Sequence, residues 1–108
     1  MIIAEIAVVP IGTGTPSVSE YVSKAVDELK RLGLRPELTA MGTIFEAKEM
    51  STVLKAFEAV HESVFKQGAK RVVTTLKVDE RRDKEGTIKQ KLESVASAQK
   101  KQDSQFQL

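Results

Sequence analysis

The 108-residue sequence contains no cysteine, no tryptophan and a single histidine, His61. The absence of cysteine excludes disulfides, thiolate metal sites and thiol catalysis. One histidine supports neither a Ser/His/Asp arrangement nor a metal site, so we expect His61 to be a half-buried packing residue within a helix. No apolar run approaches the roughly 20 residues of a membrane span, which predicts a soluble chain without a membrane partner.

Neither the acidic nor the basic residues cluster in one part of the sequence. The 17 basic and 15 acidic residues give a net charge of +2 and are spread along the chain. Nucleic-acid-binding domains usually carry a basic stripe, so we expect no nucleic-acid partner. The first residues lack a basic segment and include an acidic residue, Glu5. This argues against a signal peptide and for a cytoplasmic location.

Four segments have the patterns of β-strands: residues 2–9, 34–40, 43–48 and 71–79. The first is a nearly continuous apolar run bounded by Pro10, which favours a central strand buried on most of both faces. The second and third form a hairpin whose turn lies near Met41 and Gly42, and Pro36 suits an edge strand. The fourth alternates between an apolar and a mixed face.

Two helices are predicted between these strands. Ser17 and Glu20 have the spacing of a capping box, with Ser17 as N-cap, and Gly33 is the expected stop of the first helix. Apolar residues at helical spacing continue between them. The second helix is predicted over about residues 50–68.

The length predicts one domain over residues 1–108, since domains commonly run to about 100–150 residues. Its core covers about residues 1–80. A third helix is predicted over about residues 87–100, because its apolar stripe fades near Ala98. The polar residues 101–108 are expected to form a tail.

The order β-α-β-β-α-β-α predicts an α+β, ferredoxin-like sandwich: a four-stranded antiparallel sheet with two helices on one face, plus the C-terminal helix. Right-handed crossovers place both helices on the same face. The opposite face is then predicted to carry Ile3, Glu5, Ala7, Ile44, Glu46, Val73, Thr75 and Lys77. Such a half-apolar surface predicts self-association or cover by the third helix.

Candidate chemistry is limited to a loop and two carboxylates. The loop 12–17 follows a strand and opens a helix, but it lacks both the third glycine of the dinucleotide fingerprint and the P-loop lysine. It is either an ordinary turn with a cap or a small-ligand loop that offers hydroxyl and backbone N–H groups. Glu5 and Glu46, on adjacent strands, are either an acid–base pair or partners of Lys77.

Several stretches together resemble the YkoF-like thiamine-binding protein family. They are Ala4–Pro10 with Gly12-Thr13, Ser17–Val22, the hairpin Thr39–Glu46 (TAMGTIFE) and Arg71–Arg81. The resemblance implies a ferredoxin-like fold and homodimers or homotetramers formed through sheet faces or edges. It also implies binding of thiamine or its hydroxymethylpyrimidine moiety without catalysis or a cofactor. The motif positions carried over as ligand-binding candidates are Gly12, Thr13, Ser19, Thr39, Met41, Gly42, Thr43 and Glu46.

These residue types suit such a ligand. An aminopyrimidine needs fixed donors and acceptors, which hydroxyls supply, and a cationic thiazolium favours an anion such as Glu46. The leading hypothesis is therefore a non-enzymatic, homo-oligomeric binder of a thiamine-like molecule. Two alternatives stay open: a small ferredoxin-like enzyme with Glu5 or Glu46 as general base, and a structural or regulatory subunit that binds another protein through its sheet face.

Overall fold

The computed structural model describes residues 1–106, with side chains through residue 103. Its elements are β1 (Ile2–Ile11), α1 (Ser19–Arg31), β2 (Glu37–Leu38), β3 (Thr43–Ala47), α2 (Met50–Lys66), β4 (Arg71–Glu80) and α3 (Ile88–Phe106). The last two residues of the predicted tail lie outside the described residues.

The four strands form one sheet in the order β2-β3-β1-β4, and every neighbouring pair is antiparallel. β1 is therefore central, as its continuous apolar run predicts, and β2 and β4 are the two edges. This order and the two crossover helices confirm the predicted ferredoxin-like α+β architecture.

One face of the sheet holds the core beneath α1 and α2. The even-numbered residues of β1 from Ile2 to Val8 are buried, and Phe45 of β3 is fully buried among them. The helices contribute Leu29 from α1 and Val53, with its neighbours at helical spacing, from α2. The alternation of buried and accessible residues along β1 and β3 fixes which residues face the helices.

The opposite face, here called the open face, carries the predicted residues. Ile3, Glu5, Ala7, Ile44 and Glu46 are half-buried, and Val73, Thr75 and Lys77 are exposed. α3 begins beside this face, but every side chain from residue 91 to residue 103 is exposed. The third helix therefore covers only one end of the open face. The prediction that this helix could cover the whole face is wrong.

Two strand lengths differ from the prediction. β2 comprises only Glu37–Leu38 instead of residues 34–40, because Pro36 has no N–H to donate and the Leu34 N–H bonds the Leu29 carbonyl at the end of α1. β1 continues through Pro10 to Ile11.

Pro10 is tolerated in β1 because the N–H group that proline lacks would point away from β4. A Cβ atom placed on Gly42 would lie 3.2 Å from the Ile6 carbonyl oxygen, so the backbone polar groups of Ile6 point toward β3. Strand residues two apart point their polar groups to the same edge, so Pro10 also points away from β4. No ladder bond to β4 is lost.

Two helix ends also differ. The capping box at Ser17 is wrong: α1 begins at Ser19 without a side-chain cap, and the Ser17 N–H donates to Thr15 Oγ1 at 3.2 Å. The Ser17 hydroxyl lies 3.4 Å from Ser19 Oγ and bonds no backbone N–H of the helix, whose N-cap residue is Val18. α3 continues through Phe106 rather than ending near residue 100, since its last turns contain mostly Gln, Lys and Ala, which are good helix formers.

Candidate pocket at the open end of β1

The main candidate site lies where β1 continues beyond its neighbour β3. Pairing between these strands ends at Ile6 and Thr43, whereas β1 continues to Ile11 with β4 alone on its other edge. Residues 7–11 of β1 therefore have no strand partner on one edge. The first turns of α1 and the turn between β2 and β3 enclose this gap.

The gap is a pocket of about 220 Å³. Its walls come from β1, α1, the hairpin and one residue of α2: Ile6, Ala7, Val8, Val9, Val18, Val22, Ala25, Leu29, Leu38, Thr39, Ala40, Met41, Gly42, Thr43 and Val60. Pockets for drug-sized ligands measure about 300–1,000 Å³. The smaller volume here suits a single aromatic ring with short substituents.

Thr43 brings one hydroxyl-bearing side chain to the wall of this pocket. The residue is only 4% exposed and lines the pocket wall. Its hydroxyl makes no hydrogen bond within residues 1–106. In the same residues, every side-chain oxygen that is fully inaccessible to solvent has a hydrogen-bond partner. The oxygen must therefore retain accessible surface, and Thr43 is among the residues that line the pocket. A buried site offering one free hydroxyl is well suited to orient a polar ring.

The free edge of β1 provides a second polar feature. Since the polar groups of Ile6 point toward β3, those of Val8 point the same way, beyond the last residue that β3 pairs. Val8 lines the pocket and is itself 8% exposed. Its N–H and C=O together form a donor–acceptor pair that no other strand occupies.

Thr39 and Gly42 shape the hairpin side of the pocket. The Thr39 hydroxyl donates to the Gly42 carbonyl at 2.8 Å and accepts the Met41 and Gly42 N–H groups at 3.2 and 3.1 Å. These bonds fix the turn predicted near Met41 and Gly42, so the Thr39 oxygen is already fully used. Gly42 lets the turn approach β1 closely, because an added Cβ would lie 3.1 Å from Glu5 Cγ.

Among the side chains that the structure describes, none that is charged lines the pocket. Of the same side chains, only Thr39 and Thr43 are polar and lie in its wall, and the Thr39 hydroxyl is already bonded within the turn. A buried cation without a compensating charge would be strongly disfavoured. The pocket interior therefore suits a neutral ring and not a cationic one.

The structure brings together four of the eight predicted site residues. Thr39, Met41, Gly42 and Thr43 line the pocket. Gly12, Thr13 and Ser19 lie outside its lining, in the loop and helix start that follow the pocket residue Val9 and flank Val18. The Thr13 hydroxyl donates to the Thr15 carbonyl at 3.0 Å, so it stabilises its own loop.

Glu46 is placed elsewhere. It lies on the open face, and its Oε1 accepts the Ile88 N–H at 2.7 Å, which caps the start of α3. Glu5 faces Lys77 across the β1–β4 ladder, but within residues 1–106 no ion pair joins them. Neither position favours a general base in the pocket.

His61 is a packing residue, as its mid-helix position predicts. Its Nδ1 lies 2.8 Å from Thr74 Oγ1, and its ring contacts Phe57 and Phe65 at centroid distances of 6.2 and 5.3 Å. No group of three or more His, Cys, Asp or Glu side chains in the described part of the chain is placed to hold a metal.

A second cavity, of about 330 Å³, lies between the end of β4 and the start of α3, and charged residues line it. Three of its four charged residues form ion pairs, two with each other and one with a neighbouring aspartate. Lys91 Nζ lies 2.6 Å from Asp79 Oδ2, and this bond holds the pKa of the Asp79 carboxyl below its usual value. The Arg81 guanidinium, 2.7 Å away, lowers the pKa of Asp83 to about 2.

Sequence reasoning missed the apolar wall and the strand edge. The sequence pattern placed Val18 and Val22 in a core-facing helix stripe of six residues, and four of the six line the pocket. Val8 read as an ordinary core residue of a strand. No local pattern marks where one strand outruns its neighbour, so the free edge at Val8 has no sequence signal.

Fold and pocket together define a small ferredoxin-like domain with a ring-sized cavity at the open end of its sheet. The chain belongs to the thiamine-binding protein family, whose model matches residues 4–96. A UPF0045 protein of Methanothermobacter thermautotrophicus is 46% identical over 95 residues, covering 88% of this chain and 96% of that protein. A Bacillus subtilis UPF0045 protein is 41% identical over 99 residues, covering 88% and 94%.

Solved structures share this fold. The crystal structure of a Methanocaldococcus jannaschii protein, 43% identical, matches with a TM-score of 0.81 over 88% of this chain and 95% of that one. A Thermotoga maritima protein named as a candidate thiamine biosynthesis/salvage protein matches with a TM-score of 0.73 at 22% identity, which shows the shared fold. Within residues 1–106, no helix has the length and hydropathy needed to cross a membrane.

Proposed function

We propose that this protein binds the aminopyrimidine ring of thiamine, or free hydroxymethylpyrimidine, at the open end of β1, and that it does so without catalysing a reaction. The observation that carries the proposal is an uncharged, ring-sized pocket with a free Thr43 hydroxyl beside an unpaired strand edge at Val8. The family name supports a role in binding.

The hydrogen-bonding pattern of the ligand supports the assignment of the ring to this pocket. An aminopyrimidine presents a ring-nitrogen acceptor next to an exocyclic amine donor. The free N–H and C=O of Val8 form the complementary donor and acceptor, and each buried polar group left without a partner would cost about 1–3 kcal/mol. The apolar wall then packs against the two faces of the ring.

Charge and volume support a particular orientation for thiamine itself. The pocket holds about 220 Å³ and no charge, so the cationic thiazolium is expected to lie outside, at the mouth. The mouth includes Met41, which is 83% exposed. The Glu46 carboxylate is not expected to contact the cation, because it caps α3 on the other face.

The proposal is tested by calorimetric titration with thiamine, hydroxymethylpyrimidine and oxythiamine, in which a carbonyl replaces the exocyclic amine. Thr43→Val preserves shape and removes the hydroxyl, so it should weaken thiamine and hydroxymethylpyrimidine alike by roughly tenfold. Oxythiamine should bind more weakly than thiamine, because it has no amine to donate to the strand edge.

Two variants serve as controls. Thr75→Val makes the same substitution at an exposed position of the open face and should leave binding unchanged. Glu46→Gln should also leave binding unchanged. A large loss of thiamine affinity in this variant would instead show that the Glu46 carboxylate contacts the thiazolium cation. Absence of both heat and a thermal shift with all three ligands would contradict the proposed function.

We also propose that the protein works as a homo-oligomer. The half-apolar open face supports this, with Val9 and Val73 about half exposed and Leu92 of α3 64% exposed. Single scattered apolar residues need no partner, but an apolar patch continuous over a sheet usually has one. Light scattering over a range of concentrations measures the number of subunits.

A further inference from the structure

The sulfur atoms of this chain are few, and they differ in their access to solvent. Because the chain contains no cysteine, its only sulfurs are the thioethers of Met1, Met41 and Met50. Met1 is half-buried, and Met50, the first residue of α2, is 39% exposed. Met41 is 83% exposed. Since oxidation of a thioether requires access to its sulfur, a dissolved oxidant reaches Met41 most readily.

Met41 also lies where a change in its chemistry would alter a binding surface. It belongs to the turn between β2 and β3, and it lines the pocket beside Leu38 and Ala40. These neighbours are apolar, so the thioether of Met41 continues an apolar wall to the mouth of the pocket. A polar atom added to this side chain would interrupt that wall at its most exposed point.

The turn that carries Met41 is held without its side chain. Thr39 Oγ1 accepts the Met41 and Gly42 N–H groups, and the Thr39 N–H and hydroxyl both donate to the Gly42 carbonyl, at 2.9 and 2.8 Å. All four bonds use backbone atoms or the Thr39 hydroxyl. A change at the Met41 sulfur should therefore alter the pocket wall and leave the turn in place.

We propose that Met41 is a site of reversible oxidation by hydroperoxides, and that its sulfoxide form binds thiamine more weakly than its thioether form. The first part of this proposal depends only on the exposure of the sulfur. The second part rests on the proposed function, because it requires that thiamine occupies the pocket beside Met41. The two parts are therefore measured separately.

The oxidation needs no catalytic group from the protein. A lone pair of Met41 Sδ attacks the terminal oxygen of the hydroperoxide, the O–O bond breaks and an S–O bond forms. The sulfur gives two electrons to the peroxide. The transferred oxygen passes its proton to the leaving oxygen, which departs as water or an alcohol. A methionine sulfoxide reductase restores the thioether, with two thiols oxidised to a disulfide and the oxygen released as water.

Oxidation converts a flexible, apolar side chain into a polar one. In the proposed complex the thiazolium lies at the mouth beside Met41, where a thioether packs favourably against an aromatic ring. A sulfoxide oxygen covered by the ligand would lose its hydrogen bonds to water, and the neighbouring side chains of Leu38 and Ala40 offer no replacement. We expect roughly tenfold weaker binding of thiamine. Hydroxymethylpyrimidine has no thiazolium and should lose less.

Limited treatment with hydrogen peroxide, followed by tryptic digestion and mass spectrometry, tests the oxidation. Cleavage after Lys48 places Met41 and Met50 on separate peptides, so the oxygen gained by each is measured independently. Met41 should oxidise several times faster than Met50, and saturating thiamine should slow the oxidation of Met41 alone. Oxidation of Met50 at the same rate or faster would overturn the proposal.

Calorimetric titration with thiamine before and after peroxide treatment tests the effect on binding. Met41→Gln introduces a polar side chain of similar length and should weaken binding without any peroxide. Met41→Leu has an apolar side chain without sulfur, so peroxide should not change the affinity of this variant. Met50→Leu, outside the pocket lining, should respond to peroxide as the unmodified protein does.

The possible results separate this proposal from the proposed function. Unchanged or higher thiamine affinity after oxidation of Met41, or an equal peroxide-induced loss in Met41→Leu, would overturn the proposal. Absence of thiamine binding before any treatment would contradict the proposed function, while the peptide map alone decides whether Met41 is the oxidation site.

Discussion

The two faces of the sheet use the same strands in opposite ways. Under the helices, Phe45 and its neighbours are fully buried and uncharged. On the open face, the adjacent residues Ile44 and Glu46 are half-buried and mix apolar and charged groups. Neighbouring residues on a strand thus pack in the core on one face and, on the other, face solvent or, at Glu46, contact α3. The pocket lies at the end of β1 where the faces meet.

The largest expected effect is the loss of stability when the helix-covered face of the sheet loses its central ring. Phe45→Ala should lower the free energy of unfolding by about 3–5 kcal/mol, because it removes a fully buried ring and leaves a cavity. Ile44→Ala, one residue away on the open face, should cost clearly less. Denaturant unfolding measures both. Equal losses would show that the open face is as well covered in solution as the helix face.

A smaller effect is expected at Gly42, where the hairpin meets β1. The Cβ of Gly42→Ala would lie 3.1 Å from Glu5 Cγ and 3.2 Å from the Ile6 carbonyl oxygen, so both must move by a few tenths of an ångström. We expect a loss of about 1–2 kcal/mol in unfolding free energy and weaker ligand binding. Adding Glu5→Ala should recover part of the stability. No recovery would mean that the backbone contact alone sets the cost.

The cap of α3 should have an effect of similar or lesser size. Glu46→Ala removes the acceptor for the Ile88 N–H and should destabilise α3 by about 1 kcal/mol. Hydrogen exchange of the first-turn amides of α3 should accelerate, while amides of β1 should not change. Glu46→Gln keeps an acceptor oxygen and should behave nearly as the unmodified protein. Faster exchange throughout the sheet would instead make Glu46 part of the core.

The smallest expected effect concerns two aspartates, Asp79 near the end of β4 and Asp83 in the loop that follows it. The folded-state pKa of Asp83 is lowered to about 2 by Arg81, and that of Asp79 is lowered by Lys91. A lowered carboxyl pKa contributes stability above the unfolded value of 3.8 that is lost as pH falls toward the folded value. NMR titration of the carboxyl carbons should therefore give a midpoint near 2 for Asp83. Arg81→Gln should return it toward 3.8, and no shift in that variant would contradict the assignment.

Most of the fold could be predicted because its signals are local. The alternation along β1 and β4 assigns residues to the two faces, and Gly42 marks the turn of the hairpin. Helical spacing and the glycines after each helix place α1 and α2. The candidate site was predictable only through the hairpin motif, of which Thr39 to Thr43 line the pocket. Glu46 lies three residues beyond Thr43 and therefore on the other face.

The sequence by itself determined the order of elements, the face to which each strand residue points, and the turn that forms one wall of the pocket. These features depend on contacts between near neighbours. Only the tertiary structure decided where β3 stops pairing with β1, and with it the free edge at Val8. It also decided that Glu46 caps α3 and that β4 is an edge strand. Each of these depends on which distant segments meet and for how many residues, and no local pattern of side chains records that.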